Sequence, residues 1–178
     1  MTGRGGLERI ETPRMVLERL RLEDLDEVST LLRDPRVAAT GWPGGKPPSE
    51  RDVLVSVEDK HRHWERYGFG MWMMRDRQTG EMVGRGGLQW TTYVKDLDEV
   101  EVGWSVVPER WRQGLATELA LASIDAGFGP LDLERIVAFT TPDNVASRRV
   151  MEKSGFSYDR DILHIGIPHV LYEIRRDR

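Results

Sequence analysis

The chain has no cysteine. That excludes a disulfide framework, a thiolate nucleophile and cysteine metal sites, and it leaves the compartment open. No apolar run approaches the ~18 residues of a membrane span, so no transmembrane segment is expected. The opening Met1-Thr2-Gly3-Arg4-Gly5-Gly6 lacks the apolar core of a signal peptide, and cytoplasmic residence is the default expectation. Positive charge is not in excess either. With 26 Lys and Arg against 30 Asp and Glu the net charge is −4, which argues against a broad nucleic-acid surface. Histidines are few, and His61 and His63 stand two apart on a predicted helix, pointing to different faces. They make no metal pair, and no metal is expected.

What is present fits a soluble globular chain: 178 residues, 39% hydrophobic and 31% charged. Such a length suggests one domain, residues 1–178, burying about two thirds of its unfolded surface. Residues 1–11 are expected to be flexible. Met15 to Leu20 reads as a first strand, and Leu22 to Arg33 as an amphipathic helix stopped by Asp34-Pro35. After a Gly/Pro loop at 41–48, Ser49 caps a second helix running to about Tyr67. Met71 to Arg75 and Met82 to Trp90 form a hairpin across Asp76 to Glu81. A polar loop at 92–98 leads to a main strand at 99–107. An apolar helix to about Ala126, a strand at 135–140 and a helix at 145–154 follow. Two last strands lie near 157–164 and 169–175.

The most informative stretch is Trp111-Arg112-Gln113-Gly114-Leu115-Ala116-Thr117. A strand precedes it and an apolar helix follows, so a short basic turn delivers free backbone N–H groups at the positive end of a helix dipole. That is a site for phosphate or diphosphate. Nucleotide signatures do not account for it. The turn lacks G-x-G-x-x-G, and Gly41-Trp42-Pro43-Gly44-Gly45-Lys46-Pro47 has the wrong spacing for a triphosphate loop, with proline in place of the hydroxyl.

Trp111-x-x-Gly114-x-Ala116 resembles motif A, [Q/R]-x-x-G-x-[G/A], of the GNAT superfamily of acyl-CoA-dependent N-acetyltransferases. Pro108 to Glu118 is similar to the P-E-x-W-G-x-G-Y-A-T-E pattern of its RimJ/RimL-like branch, with Arg112 replacing a common glycine. Asn144-Val145-Ala146-Ser147 and Glu152-Lys153-Ser154-Gly155-Phe156 resemble motif B. Thr12 to Leu20 and Gly68 to Trp72 extend the likeness to about residues 12–175. The resemblance implies an α/β (α+β) GNAT fold: a mixed, mostly antiparallel central sheet flanked by helices and splayed at the acyl-CoA site. It also implies a β-bulge in strand 99–107. Acetyl-CoA is the implied cosubstrate, with its diphosphate on the amides of Arg112, Gln113, Gly114, Leu115, Ala116 and Thr117. Its pantetheine arm would pair with the backbone of Val106 and Val107, and Asn144 would fix the helix entrance or touch that arm. Dimers are common among similar proteins.

Acyl transfer from a thioester needs positioning, amine deprotonation, oxyanion stabilisation and protonation of the leaving thiolate. Alternation puts Glu99, Glu101, Gly103 and Ser105 on one face of the main strand. A central strand covered on both faces should not carry two acids unless one face opens to a polar cleft. Glu101, nearer the implied splay, is the candidate general base. The position where many relatives carry a tyrosine acid is Met151, and Ser147 matches a serine thought to contact the thiol. His164 and His169 lie near the C-terminal strands, where acceptors enter in this family. The expected acceptor is a primary amine, a protein N-terminal amine being favoured over lysine. With pKa values of ~8 and ~10.4, roughly a tenth of the former but under about a thousandth of the latter is neutral at pH 7. A small-molecule amine, or a non-catalytic acyl-CoA-binding module, is the alternative.

Overall fold

Short-range signals set most of the elements in the computed structural model, which describes residues 4–91 and 97–176. Strand β1 is Arg9–Glu11 and β2 is Met15–Arg19, antiparallel, with Ile10 opposite Leu17. Residues 9–11, part of the stretch expected to be flexible, form an edge strand. The single helix expected from Leu22 is a 3-10 turn, Leu22–Asp24, followed by α1, Leu25–Arg33. Asp34-Pro35 does end α1, but it also starts α2, Pro35–Gly41. The Asp34 side chain accepts from the Arg36 N–H, and Pro35 occupies the first turn, where its missing N–H is not needed. Helix α3, Glu50–Tyr67, opens on a capping box between Ser49 and Asp52 and closes on left-handed Gly68.

Strands β3, Met71–Asp76, and β4, Met82–Trp90, form the expected hairpin. The polar loop expected at 92–98 falls, over 92–96, outside the described residues. Then follow β5, Val100–Val106; α4, Leu115–Phe128; β6, Arg135–Thr140; α5, Val145–Lys153; β7, Ser157–His164; and β8, Ile167–Arg175. The strands make one mixed sheet in the order β1-β2-β3-β4-β5-β6-β8-β7. Every neighbouring pair is antiparallel except β5 and β6, which run parallel.

The two faces of the sheet differ. On one, Leu115 and Leu119 of α4 and Met151 of α5 join Met15, Leu17, Trp72, Met74, Leu88, Val102, Ile136 and Ala138 in a large core. On the other, α1 and α3 cover Met71 and Met73 with Val28, Leu32, Val53 and Val57. A third cluster, Val137 and Leu171 with Phe139 and Ile162, lies further along that second face. Between the second and third clusters the face is polar, and the candidate site lies there.

Small residues let α4 press close to the sheet. A Cβ added at Gly86 would collide with Leu119 Cδ2 and fall 2.7 Å from the Gly103 carbonyl oxygen. The second contact is backbone and cannot swing aside. Gly86→Ala is therefore expected to cost about 1–3 kcal/mol by overpacking. Thermal denaturation checks this, and an unchanged melting temperature would show that α4 is not seated this tightly.

Candidate active site

The turn before α4 is built from two left-handed residues, Arg112 at φ 62° and Gly114 at φ 78°. Left-handed backbone is strained for a side-chain-bearing residue, which explains why glycine is common at the position of Arg112. Gly114 is the N-cap of α4 and no side chain caps the helix. The first helical bond runs from Glu118 N–H to the Gly114 carbonyl, so the N–H groups of Leu115, Ala116 and Thr117 have no acceptor within α4. Successive N–H groups in such a turn form a concavity suited to an anion.

An acid one turn into this helix would weaken that field, and Glu118 stands there. It is neutralised in place. Arg14 Nε donates to Glu118 Oε2 at 2.7 Å, Thr12 Oγ1 donates to Oε1 at 2.6 Å, and the Arg14 N–H donates to Oε1 at 2.8 Å. Arg14 Nη1 also donates to the Gln113 carbonyl at 2.5 Å, which keeps the guanidinium beside Gly114. The two cations nearer in sequence differ from each other. Arg110 is committed to Asp76 at 2.8 Å and to Gln113 Oε1 at 2.9 Å, whereas Arg112 is exposed at the turn.

Strand β5 pairs with β4 residue for residue from Val100↔Trp90 to Val106↔Gly84. The bulge implied for this strand is absent, because its partner accommodates it without an extra residue. The opening arises on the other edge, where β5 and β6 meet at Glu101↔Val137. Val107 N–H donates to the Val83 carbonyl, so alternation turns the N–H and C=O groups of Trp104 and Val106 away from β4, toward β6. Val107 itself is not available for a pantetheine arm. Its N–H is committed to Val83 and its carbonyl accepts from Arg110 N–H. At Val106 the carbonyl accepts from the Trp111 indole Nε1–H at 2.7 Å. The Val106 N–H, with both polar groups of Trp104, is what this edge directs into the opening.

Glu101 is 6% exposed and on the polar face, opposite Gln89, whose Nε2 donates to its carboxylate. Burial pushes the Glu101 carboxyl up to about 7, against the Gln89 hydrogen bond and the nearby Lys60 charge, which both lower it. Glu99 is different in kind. It is bound to Arg135 at 2.7 Å, in a cluster with Asp159 and Glu173. One of the two acids is thus structural and the other is a buried carboxylate poised near neutrality, a property that active sites concentrate.

Two residues beyond Val137, on the same face of β6, is Phe139, with the His164 and His169 rings at 5.5 and 5.6 Å. The histidines lie 5.4 Å apart, and burial together with the neighbouring His169 lowers His164. His63 takes no part in this cluster. It accepts from the Trp90 N–H at 3.1 Å and faces the Phe69 carbonyl at 2.9 Å, and burial lowers it to about 4. On α5, Asn144 is an N-cap: Oδ1 accepts from the Ser147 N–H at 3.2 Å, and Nδ2 donates to Thr140 Oγ1 at 3.0 Å. Its side chain orients α5 against β6. Ser147 sits on the first turn, and Met151 is fully buried in the core.

Sequence reasoning passed over Lys60, Arg85 and Gln89, which share the polar face with Glu101, and gave Arg14 no role. The signals were faint. Lys60 continues the inward spacing of Val53 and Val57 on α3, and Arg85 and Gln89 alternate with glycines inside an otherwise apolar strand.

The family model of the GNAT acetyltransferase domain matches residues 14–157. YkkB, an uncharacterised protein of Bacillus subtilis (strain 168), is 31% identical over 166 residues, 90% of this chain and 94% of its own. A GNAT-family acetyltransferase from Bordetella pertussis has the same fold, with a TM-score of 0.79 at 25% identity over 93% of this chain and 98% of its own. RimL, a ribosomal-protein α-N-acetyltransferase solved with coenzyme A, shares the fold with a TM-score of 0.75 at 16% identity, over 94% of this chain and 98% of its own.

Two substitutions probe the anion cradle. Gly114→Asp supplies a capping carboxylate that occupies the free amides itself. Affinity for coenzyme A by titration calorimetry should fall at least about tenfold, or ~1.4 kcal/mol; an unchanged value removes these amides from the site. Trp111→Phe deletes the donor to the Val106 carbonyl and should weaken coenzyme A by about 2- to 10-fold, the range of one hydrogen bond. No loss would mean that the indole does not shape the opening.

Proposed function

The chain belongs to the GNAT family and is an N-acetyltransferase, and we propose that it moves the acetyl group of acetyl-CoA to a protein N-terminal α-amine by direct attack, as a cytoplasmic enzyme. The observation that carries this is the pairing of an uncapped helix start with a buried carboxylate near neutrality, on either side of one strand opening. The free amides of residues 115–117 suit the diphosphate. The Val106 N–H and the polar groups of Trp104 suit an extended amide-bearing arm, which would add to β5 as a strand would.

In the proposed reaction the neutral amine attacks the thioester carbon and forms a tetrahedral intermediate. The C–S bond then breaks, and the thiolate leaves and is protonated. Glu101 takes the amine's proton, directly or through a water, and the Val106 N–H faces the developing oxyanion. Ser147, on the first turn of α5, supports the departing sulfur. Met151 cannot supply a proton, so no tyrosine acid stands at that position. An α-amine near pKa ~8 needs only a single modest base, whereas lysine near ~10.4 would need far more help. The RimJ/RimL-like pattern from Pro108 to Glu118 supports the same acceptor class.

A thiol-release assay tests the acceptor. Peptides with a free N-terminus and no lysine should turn over, while the same peptides blocked at the N-terminus and carrying one lysine should not. Turnover confined to small amines would overturn the acceptor, and coenzyme A binding without turnover on any amine would overturn the catalytic reading. The base has its own signature. Glu101 acts only when ionised, so kcat/KM should fall as pH drops below about 7. Glu101→Gln should lower kcat by about two orders of magnitude, erase that acid limb and leave coenzyme A affinity intact. A retained limb in Glu101→Gln would remove this residue from the mechanism.

A further inference from the structure

The base on β5 has a cation above it that the chemistry so far leaves unused. Ser56, Lys60 and His63 share one face of α3 at helical spacing. Two contacts lay that face along β4: Arg85 Nη1 donates to Ser56 Oγ at 3.5 Å, and the Trp90 N–H donates to His63 Nε2 at 3.1 Å. Lys60 lies between these contacts, one turn from each. Beneath it Gln89 of β4 and Glu101 of β5 are directly paired across the ladder and hydrogen bonded.

We propose that Lys60 is a positioning residue for acetyl transfer, whose ammonium, held beneath α3 between Arg85 and Glu101, keeps the Glu101 carboxyl ionised for the incoming amine. This rests on Glu101 being the base. Burial alone favours the neutral acid, which cannot accept a proton. The Gln89 hydrogen bond opposes burial in part, and among the described residues Lys60 is the cation whose charge opposes it further. On α3, Lys60 attracts Glu101; Asp59 faces solvent and favours the charged form of Lys60; and His63 is held neutral. On β4, Gln89 carries no charge but its hydrogen bond favours the ionised Glu101, and Arg85 acts on Lys60, lowering the lysine after burial has lowered it, to about 8. On β6, Val137 is apolar and Arg135 is engaged by Glu99, Asp159 and Glu173. Met71 of β3, whose Cε lies 3.6 Å from a Cβ built at Gly103, is apolar too.

Lys60 is thus made an unusually releasable cation, and the pair titrates as a unit around neutrality. Removing its charge takes away one of the two influences that oppose burial and leaves the Gln89 hydrogen bond, so the Glu101 pKa rises. The sign follows: more of the enzyme carries the protonated, inactive acid at a given pH, and the acid limb of kcat/KM moves to higher pH. An opposite charge within about 4–6 Å is worth about 1–3 pH units.

The test reads Glu101 in two independent ways. Carboxyl carbon resonances of glutamate-labelled enzyme, assigned with Glu101→Gln, give its titration without substrate, and the pH profile of kcat/KM gives the working value. In Lys60→Met both should rise by at least about one pH unit, a tenfold loss of ionised base at acid pH. Lys60→Arg should keep both near the parent values, and coenzyme A affinity should hold in both variants. A Glu101 titration unmoved in folded Lys60→Met overturns the proposal. Should Lys60→Met not fold, Lys60→Gln, which keeps polarity without charge, is read in the same way. If the resonance moves and the kinetic limb does not, Lys60 still controls Glu101 but Glu101 is not the base, which overturns the catalytic assignment on which the proposal rests.

Discussion

The site depends on how two parallel strands separate. Among the described residues β5 and β6 are the only parallel neighbours in an otherwise antiparallel sheet, and they meet at Glu101↔Val137. A parallel pair needs a crossover, here the turn and helix α4, which must pass over the sheet to return. That crossover determines two things together. It brings a helix start with unsatisfied N–H groups to the end of β5, and it leaves the outward backbone of Trp104 and Val106 without a strand partner there. Backbone groups left this way are exposed to water or to a ligand, seldom to nothing. The indole of Trp111 takes the Val106 carbonyl, so a residue of the turn also stabilises the edge of the opening.

An acidic chain that offers a site for a polyanion must solve the charge problem locally. Its net charge of −4 makes long-range attraction unhelpful. The solution is mostly main chain: amides and a helix dipole carry the positive potential, and they need no side-chain ordering. Glu118, one turn into α4, would oppose that potential. The segment Thr12 to Arg14 quenches it with three donors from the loop before β2. Quenching also ties the N-terminal part of the sheet to the turn, which links fold and binding through one carboxylate.

Local chemistry was legible in the sequence and long-range chemistry was not. The Ser49–Asp52 capping box, the hairpin across Asp76 to Glu81 and the turn at 111–117 each depend on residues within a few positions of one another, so their spacing could be read directly. Asp34-Pro35 misled for a local reason as well, since the dipeptide that ends one helix is also a good start for the next. Edge strand β1 is only three residues long, and what orders it is pairing with β2 rather than any pattern of its own. The bulge was implied by likeness, and only the register of β4 against β5 removes it. Glu101 stood out because an acid in an apolar strand needs a reason. Lys60 and Arg85 did not, because a basic residue on a helix or between two glycines of a strand is ordinary until its neighbours in space are known. The commitment of Val107 to Val83 was likewise invisible before the register.

The polar break on the second face is expensive, and that expense argues for function. Arg85 is 7% exposed, its Nε is buried without a hydrogen-bond partner, and burial lowers its pKa to about 10. Lys60 and Glu101 are both shifted by burial toward their neutral forms. A continuous apolar packing from the Met71 cluster to the Val137 cluster would stabilise the fold more, since buried ion pairs seldom outperform well-packed hydrophobic groups. Gly87 and Gly103, opposite each other between the charged rows, withhold side chains where such packing would form. The sheet has therefore kept charge and left out bulk at the level where its strands separate. The proton transfer proposed for Glu101 would give that arrangement a physical reason.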